Sequence, residues 1–308
     1  MRQLATDSLF RLFSTHYGRI TGVTAILAGC FFWGKTFIVL SEEPHQHDFR
    51  IYYDAVELWN KGGNPYGEPS LGTETRDSAR FAYPPFTLLL FYPFTLFERE
   101  TAALFYLSLK VAALLVLLAL WDKFLLPNIF SRGLLLWFSA IGFNSAARLD
   151  ILSGNIALFE QLLIWSSIGL FLAKRPGGAS WILACSSTFK FVPVLLSPVY
   201  LFLAGRRAAW KVLLPFLLLG ALVGISWIFN PALWENFVSS IAGLDERGHT
   251  NPASLAFFRD LADEIGIPAL GVGLYVVLAG LIACAIIKTL SAGNRLDLPH
   301  RDLVFYSL

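Results

Sequence analysis

Charged residues are scarce in this chain. Only 15% of its 308 residues are Asp, Glu, Lys or Arg, whereas a soluble domain carries about 25%. The formal net charge is only +2, and no basic stripe with interleaved aromatic residues appears, so no nucleic-acid partner is expected. Cysteine is also rare: Cys30, Cys185 and Cys284 lie far apart in apolar runs, without CxxC spacing. This pattern argues against a disulfide framework and a cysteine metal site.

Long apolar runs are abundant. Hydrophobic residues make up 56% of the sequence, and the mean hydropathy is +0.59. Several runs approach or exceed the roughly 20 residues that cross a bilayer as a helix, among them Ile20–Leu40, Ala102–Leu120, Leu213–Phe229 and Ile267–Ile287. We therefore predict an all-α integral membrane protein in which residues 1–308 form a single polytopic transmembrane domain.

Basic residues predict the orientation of the chain in the membrane. Cytoplasmic segments are enriched in Lys and Arg, and the first apolar run is preceded by Arg2, Arg11 and Arg19. A cytoplasmic N-terminus makes residues 41–101 the first external loop and residues 230–265 the second. The apolar piece Phe86–Phe97 in the first loop is too short to cross, which predicts a juxtamembrane helix. We expect a multi-pass protein of the bacterial plasma (inner) membrane, in contact with membrane lipids.

The first external loop contains a candidate catalytic carboxylate, Asp48. It follows closely on the first apolar run, and a carboxylate at a membrane surface is suited to general-base chemistry. Two alternatives stay open: the loop is simply acidic and solvated, or His45 and His47 bind a metal together with Asp48. No further His or Cys supplies a fourth ligand nearby, so no metal is expected.

Three cations are candidates for binding an anionic group. Lys190 lies inside an apolar segment beside Pro193, and an intramembrane lysine next to a broken helix usually faces a cavity or a partner. The alternative is a lysine that extends to the interface. Arg148 and Arg259 lie in external loops and could bind phosphate bidentately, or be surface charges. Lys110 is a fourth and weaker candidate, because it stands alone in its apolar run.

Aromatic residues accompany the acids of the first loop. Five aromatic residues lie among carboxylates: Tyr52, Tyr53, Trp59, Tyr66 and Tyr83. This arrangement suits carbohydrate, whose CH faces stack on rings. An ordinary interfacial belt has the same composition.

The first loop carries three motifs in order: Asp48-Phe-Arg-Ile-Tyr-Tyr-Asp-Ala, then Gly62-Gly-Asn-Pro-Tyr66, then Tyr83-Pro-Pro-Phe. These motifs resemble glycosyltransferase family 87, membrane enzymes of the GT-C class that include polyprenyl-phosphomannose-dependent mannosyltransferases. Later segments are similar as well. Gly154-Asn155 stands where the family usually has Gly-Gln, Lys190 and Pro193 precede Arg206-Arg207, and Asn251 and Ser254 resemble an external N-x-S loop.

The resemblance implies a GT-C-like multi-helix transmembrane bundle with a large first extracytoplasmic loop containing juxtamembrane helices. It implies transfer of a hexose, with mannose as the family default, from a polyprenyl-phosphate donor to a lipid or glycan acceptor on the extracytoplasmic side, with inversion. Asp48 would be the general base, and Lys190, Arg148 and Arg259 would bind the donor phosphate. Substrate contacts would come from Tyr52, Tyr53, Tyr66, Asn155 and Asn251. No cofactor and no metal are implied.

Two further expectations concern the length of the chain and the alternatives to an active glycosyltransferase. Family members are expected to be nearly 400 residues or longer, so the chain is interpreted as shortened at its C-terminus, and an inactive truncated member is one alternative. A polytopic transporter or flippase is the other, because Lys110, Lys190 and a proline-broken segment are features that transporters also use.

Overall fold

The computed structural model describes residues 46–67, 81–124, 146–242 and 254–267, most of 270–281 and scattered positions in 27–38 and at 288. Throughout these described residues the regular structure is helical, without strands. The α-helices are α1 (His47–Asn60), α2 (Pro85–Phe91), α3 (Arg99–Phe124), α4 (Ala146–Ser153), α5 (Ala157–Leu172), α6 (Pro176–Ser186), α7 (Ser197–Ala204), α8 (Ala209–Phe229), α9 (Pro231–Ala242) and α10 (Ser254–Glu264). Two 3-10 helices cover Tyr92–Leu96 and Val192–Leu196. Contacts divide the chain into two compact units, Met1–Ser240 and Ile241–Leu308.

Two of the described helices are long and apolar enough to cross a bilayer. They are α3, with 26 residues, and α8, with 21 residues, and each has a mean hydropathy of 2.4 over its best window. At 1.5 Å per residue, they span about 39 Å and 32 Å, against a hydrocarbon core of about 30 Å. They contain the predicted runs Ala102–Leu120 and Leu213–Phe229. The piece predicted to be juxtamembrane forms α2 and the 3-10 helix that follows it.

Prolines mark the starts of several helices. Pro85, Pro176 and Pro231 are the first residues of α2, α6 and α9. Proline is favoured there because its fixed φ suits a helix and its missing N–H needs no intrahelical partner. The same chemistry interrupts the apolar segment around Lys190. In that segment α6 ends at Ser186, a 3-10 helix surrounds Pro193, and α7 begins four residues after it.

An aromatic core holds the described part of the first loop in place. On α1, Phe49, Tyr52, Tyr53 and Val56 are buried, the spacing of an amphipathic helix with one apolar face. Phe49 stacks on Tyr106 of α3, with ring centroids 4.7 Å apart. Further aromatic members of the core are Tyr66, Phe81, Phe91, Trp234 and Phe237. The polar helix that follows the first apolar run is therefore anchored to α3 by buried rings.

A second cluster joins α3 to α4 and α5. It consists of Ala113, Leu114, Leu117, Leu118, Ile151 and Leu158. Further along α5, Ser167 Oγ donates to the backbone oxygen of Ala179 in α6 at 2.7 Å and lies 2.9 Å from the Tyr200 hydroxyl in α7. These contacts fix α4 and the start of α5 against α3, next to the N-terminal end of α1.

Candidate active site

Asp48 and Asn155 meet at the centre of a polar cluster. The Asn155 amide, Nδ2, donates to Asp48 Oδ2 at 2.6 Å. Asp48 lies in the first turn of α1, where the helix end favours a negative charge, and its side chain is half-buried. This carboxylate therefore has a fixed orientation and remains accessible to a ligand.

Asn155 reaches Asp48 because the chain turns sharply after α4. Gly154 has φ +73°, and the backbone N–H groups of Gly154 and Asn155 both donate to the Asp150 carbonyl, at 3.1 and 3.2 Å. A Cβ at Gly154 would lie only 3.0 Å from Phe49 Cβ and 3.2 Å from Phe49 N. The Ala157 N–H donates to Asn155 Oδ1 at 2.9 Å, which directs the amide nitrogen toward Asp48. Glycine is thus needed both for the backbone conformation and for the close approach to α1.

Tyr83 forms the next part of the cluster. Its hydroxyl accepts from the Tyr52 hydroxyl at 2.9 Å and from Asn155 Nδ2 at 3.5 Å. Burial raises the pKa of Tyr83, against the opposing effects of the Tyr52 hydrogen bond and the Lys190 ammonium. Tyr83 therefore stays a neutral phenol at physiological pH and can donate its proton in a hydrogen bond.

Lys190 lies between α6 and the 3-10 helix around Pro193, close to Tyr83. Its Nζ is 5.8 Å from the centroid of the Tyr83 ring and 3.5 Å from Glu160 Oε2. The Glu160 side chain is 9% exposed and that of Lys190 is 37% exposed. Glu160 thus offsets part of the cost of burying the lysine, while the ammonium remains partly open.

Lys110 supports the turn that carries Asn155. It is fully buried in α3, and its Nζ donates to the Asn155 carbonyl at 2.6 Å and also to the Asp150 carbonyl. The same atom lies 2.7 Å from Asp150 Oδ2. Burial raises the pKa of the Asp150 carboxyl, and the Lys110 ammonium opposes that rise. One cation therefore holds two backbone oxygens and a carboxylate beside the Asp48 site.

A cavity of about 680 Å³ opens next to this turn. Its wall includes His47, Leu149, Asp150, Leu152, Ser153 and Asn155. Its volume falls within the range of small-molecule sites, and most of its lining is apolar. A ligand in the cavity would lie beside the Asp48–Asn155 pair.

The structure brings some of the predicted residues together and leaves others apart. Asp48, Asn155 and Lys190 belong to the cluster around Tyr83, and Arg148 lies in α4, the helix that carries Asp150. Arg259 is half-buried in α10, within the second unit. Asn251 lies outside the described residues, as does His45.

The three predicted sugar-binding tyrosines are buried. Tyr52, Tyr53 and Tyr66 are 1%, 5% and 5% exposed. Their hydroxyls donate to the protein itself: Tyr52 to the Tyr83 hydroxyl, Tyr53 to the Phe97 carbonyl and Tyr66 to the Tyr83 carbonyl. These rings belong to the buried aromatic core, and their assignment as substrate contacts stays a prediction.

Sequence reasoning did not assign several residues of the cluster to the site. Tyr83 was counted among the aromatic residues beside the acids, but only the fold shows that its hydroxyl accepts from Asn155. No motif or spacing in the sequence marks Asp150 or Glu160 as a site residue. Each became recognisable only through its lysine partner, Lys110 or Lys190.

The fold and the cluster together define an all-α membrane protein with an accessible, amide-held carboxylate. The chain belongs to glycosyltransferase family 87, because the model of that family matches residues 81–301, more than half of the chain. The protein is therefore a membrane glycosyltransferase. No curated protein and no solved structure matches the chain. Asp48 precedes the matched residues, so the argument for its role rests on its hydrogen bond to Asn155, which lies within them.

Replacing Gly154 with Ala is expected to lower the glycosyl-transfer rate by about tenfold or more, equivalent to about 1.4 kcal/mol. The new Cβ requires a strained backbone and presses on Phe49, so the Asn155 turn must move away from Asp48. Initial rates in purified membranes would measure the effect.

Gly205→Ala is the matched control for Gly154→Ala. Gly205 has a similar φ of +71°, but nothing lies within 4 Å of its would-be Cβ. This variant should keep its transfer rate. An equal loss in both variants would show that backbone strain alone, and not the approach to α1, is responsible.

Proposed function

We propose that the chain transfers a hexose, with mannose as the family default, from a polyprenyl-phosphate donor to a hydroxyl of a lipid or glycan acceptor. The reaction takes place on the extracytoplasmic side of a bacterial plasma membrane. The chain is a single GT-C-like polytopic domain with a cytoplasmic N-terminus and external loops at 41–101 and 230–265.

The observation that carries this proposal is the hydrogen bond from Asn155 to Asp48. A carboxylate that takes a proton from an acceptor hydroxyl must be accessible and held in one orientation. The Asn155 amide fixes one oxygen of Asp48, and the side chain is half-buried rather than enclosed. Asp48 is thus the general base of the proposed reaction.

The proposed chemistry is a single in-line displacement. Asp48 takes the proton of the acceptor hydroxyl as its oxygen forms a bond to the anomeric carbon. The bond from that carbon to the donor phosphate oxygen breaks, and polyprenyl phosphate leaves with the electron pair. One displacement inverts the configuration at the anomeric carbon. Because the leaving group is already a stable anion, it needs a cation more than it needs an acid.

Lys190 is the cation with the best support for binding that phosphate. Its ammonium adjoins the Tyr83 ring, the Tyr83 hydroxyl adjoins Asn155, and Asn155 binds Asp48. Fixed charges and donors near a leaving anion stabilise the transition state. Arg148 and Arg259 remain further candidates for the same role. The mainly apolar lining of the 680 Å³ cavity suits a prenyl chain.

Transfer from a lipid-linked donor by the purified protein would test the proposal. The protein in lipid nanodiscs is incubated with radiolabelled polyprenyl-phosphate mannose and a membrane extract that supplies acceptors. We expect label in a lipid or glycan product, competition by unlabelled polyprenyl phosphate, and no loss of rate on addition of EDTA. Nucleotide-linked mannose should not serve as donor.

Empty nanodiscs provide the background for this assay, and polyprenyl-phosphate glucose extends it to a second hexose. Absence of transfer from every lipid-linked hexose would contradict the proposal and favour a transporter or an inactive protein.

A further inference from the structure

A second cavity lies at the other end of α1 from Asp48. Its volume is about 290 Å³, and its wall includes Trp59, Gly62, Gly63 and Asn64 on one side and Asn230 and Asn236 on the other. The first group forms the last turn of α1 and the segment after it. In the second group, Asn230 directly precedes α9 and Asn236 lies near its middle. None of the roles assigned above uses this cavity. Of the Gly-Gly-Asn-Pro-Tyr motif, only Tyr66 has been given a role, and the other four residues line the cavity.

The glycine pair explains why the motif forms a pocket wall. Gly62 has φ +79°, and its N–H donates to the Trp59 carbonyl at 2.9 Å, while the Gly63 N–H donates to the Leu58 carbonyl at 2.9 Å. This pattern ends a helix with one left-handed residue, which glycine adopts without strain. A Cβ on Gly63 would lie 2.4 Å from Leu58 Cδ1. The chain therefore reverses tightly and brings Asn64 into the same wall as Trp59.

The polar side chains of the pocket are uncharged: they are asparagine amides and a tryptophan indole. Asn64 Oδ1 accepts from the Tyr66 N–H at 3.0 Å, and Asn230 Oδ1 accepts from the Leu233 N–H at 3.4 Å. Both asparagines thus use their oxygens within the protein, and their NH₂ groups can donate to a ligand. Asn236 and Trp59 also line the pocket, and their side chains carry an amide and an indole N–H.

This chemistry favours a neutral sugar. One face of a sugar ring is formed by CH groups, which stack on an indole, and its hydroxyls match amide donors and acceptors. The residues of the described wall carry no charge, which disfavours a phosphate or a carboxylate. The volume is also at the lower end of ligand sites, a size that suits one sugar unit better than a lipid chain.

The length of α1 indicates whether the pocket could hold the transferred hexose or a different sugar unit of the substrates. Asp48 and Trp59 are eleven residues apart on one helix, which corresponds to about 16 Å along its axis. That separation is too large for the pocket to hold the hexose that undergoes transfer at Asp48. We infer that the pocket binds a sugar unit of a glycan acceptor, away from the hydroxyl that receives the hexose. This inference rests on the proposed function and assigns its acceptor to the glycan class.

Direct binding of oligosaccharides would test the inference without any transfer. The purified full-length protein is titrated with mannose and glucose oligosaccharides of one to four units, followed by ligand-observed NMR. We expect the longer oligosaccharides to bind the wild type and Asp48→Asn equally well. Trp59→Ala should weaken binding by about tenfold or more, and Asn236→Ala by about three- to tenfold, as for the loss of one hydrogen bond.

Trp181→Ala is the matched control, because this tryptophan is 48% exposed on α6 and does not line the pocket. It should bind oligosaccharide like the wild type. Trp59 also packs against the aromatic core, so Asn236→Ala decides the matter if Trp59→Ala fails to fold. In transfer assays both pocket variants should raise KM for a glycan acceptor and leave KM for the donor and kcat unchanged.

The outcomes separate this inference from the proposed function. Oligosaccharide binding that depends on Trp59 or Asn236 supports the sugar pocket, even if no lipid-linked hexose is transferred. Absence of binding by both sugar series, or binding that neither substitution weakens, overturns the pocket even where transfer to a lipid acceptor is robust.

Discussion

Asp48→Asn is expected to lower the rate of hexose transfer by roughly 10²–10⁴-fold, the range attributed to a general base. Asparagine is nearly isosteric with aspartate, and its oxygen can still accept from the Asn155 amide. It cannot take a proton from the acceptor hydroxyl, so the fold persists while the chemistry stops. Initial rates with radiolabelled polyprenyl-phosphate mannose would measure the loss, and the unfolding temperature would show that the fold is intact.

Asp54→Asn is the internal control for this experiment. Asp54 lies on the same helix, but its half-buried carboxylate pairs with Arg99 at 2.7 Å. Burial raises the pKa of Asp54, and Arg99 opposes that rise, so this carboxylate is engaged away from the cluster. Its substitution should leave the transfer rate within about twofold, because this carboxylate pairs with Arg99 and makes no contact with Asn155. A small loss in Asp48→Asn, comparable to that of the control, would mean that another group is the base.

Lys110→Met is expected to lower the free energy of unfolding by about 3–5 kcal/mol, the usual cost of breaking a buried ion pair from one side. The Asp150 carboxylate would lose its cation, and the carbonyls of Asp150 and Asn155 would lose a donor. Denaturant unfolding in detergent, followed by tryptophan fluorescence, would measure the change. Transfer should fall as well, because Lys110 anchors the backbone of Asn155.

The double variant Lys110→Met/Asp150→Leu separates these two effects. It leaves no buried charge, and replacing a buried pair by apolar residues is often close to neutral in stability. Most of the lost stability should therefore return, while transfer stays low because the Asn155 carbonyl still lacks its donor. A double variant no more stable than Lys110→Met would show that the backbone contacts, and not the unpaired carboxylate, dominate.

Local sequence patterns predicted the helices of this fold well, but they did not predict which residues of those helices contact one another. Runs of apolar residues anticipated α3 and α8, and Pro193 anticipated the break after α6. These features depend on neighbouring residues alone. The first loop was interpreted as polar and acidic, yet Phe49, Tyr52, Tyr53 and Val56 form the buried face of α1. Its helical spacing was present in the sequence, but the many charges between these residues obscured it.

The site itself depended on long-range contacts that no local pattern contains. Asp48 was a candidate from its position, but Asn155 is 107 residues away along the chain. Lys110 appeared to be an isolated cation of the kind that a transporter uses. In the fold it binds Asp150 and the Asn155 turn, so it supports the Asp48 site. The family resemblance placed Asn155 among the substrate contacts. In the fold its amide also donates a hydrogen bond to Asp48.

The helix α1 has a further consequence for the reaction as a whole. Its first turn carries the carboxylate that would activate the acceptor, and its last turn carries the indole that would hold a distant sugar. A helix anchored by buried rings cannot stretch, so these two points keep a constant separation. If the proposed acceptor pocket is correct, this constant separation would select glycans long enough to reach both points and would set the position along the glycan at which the next hexose is added.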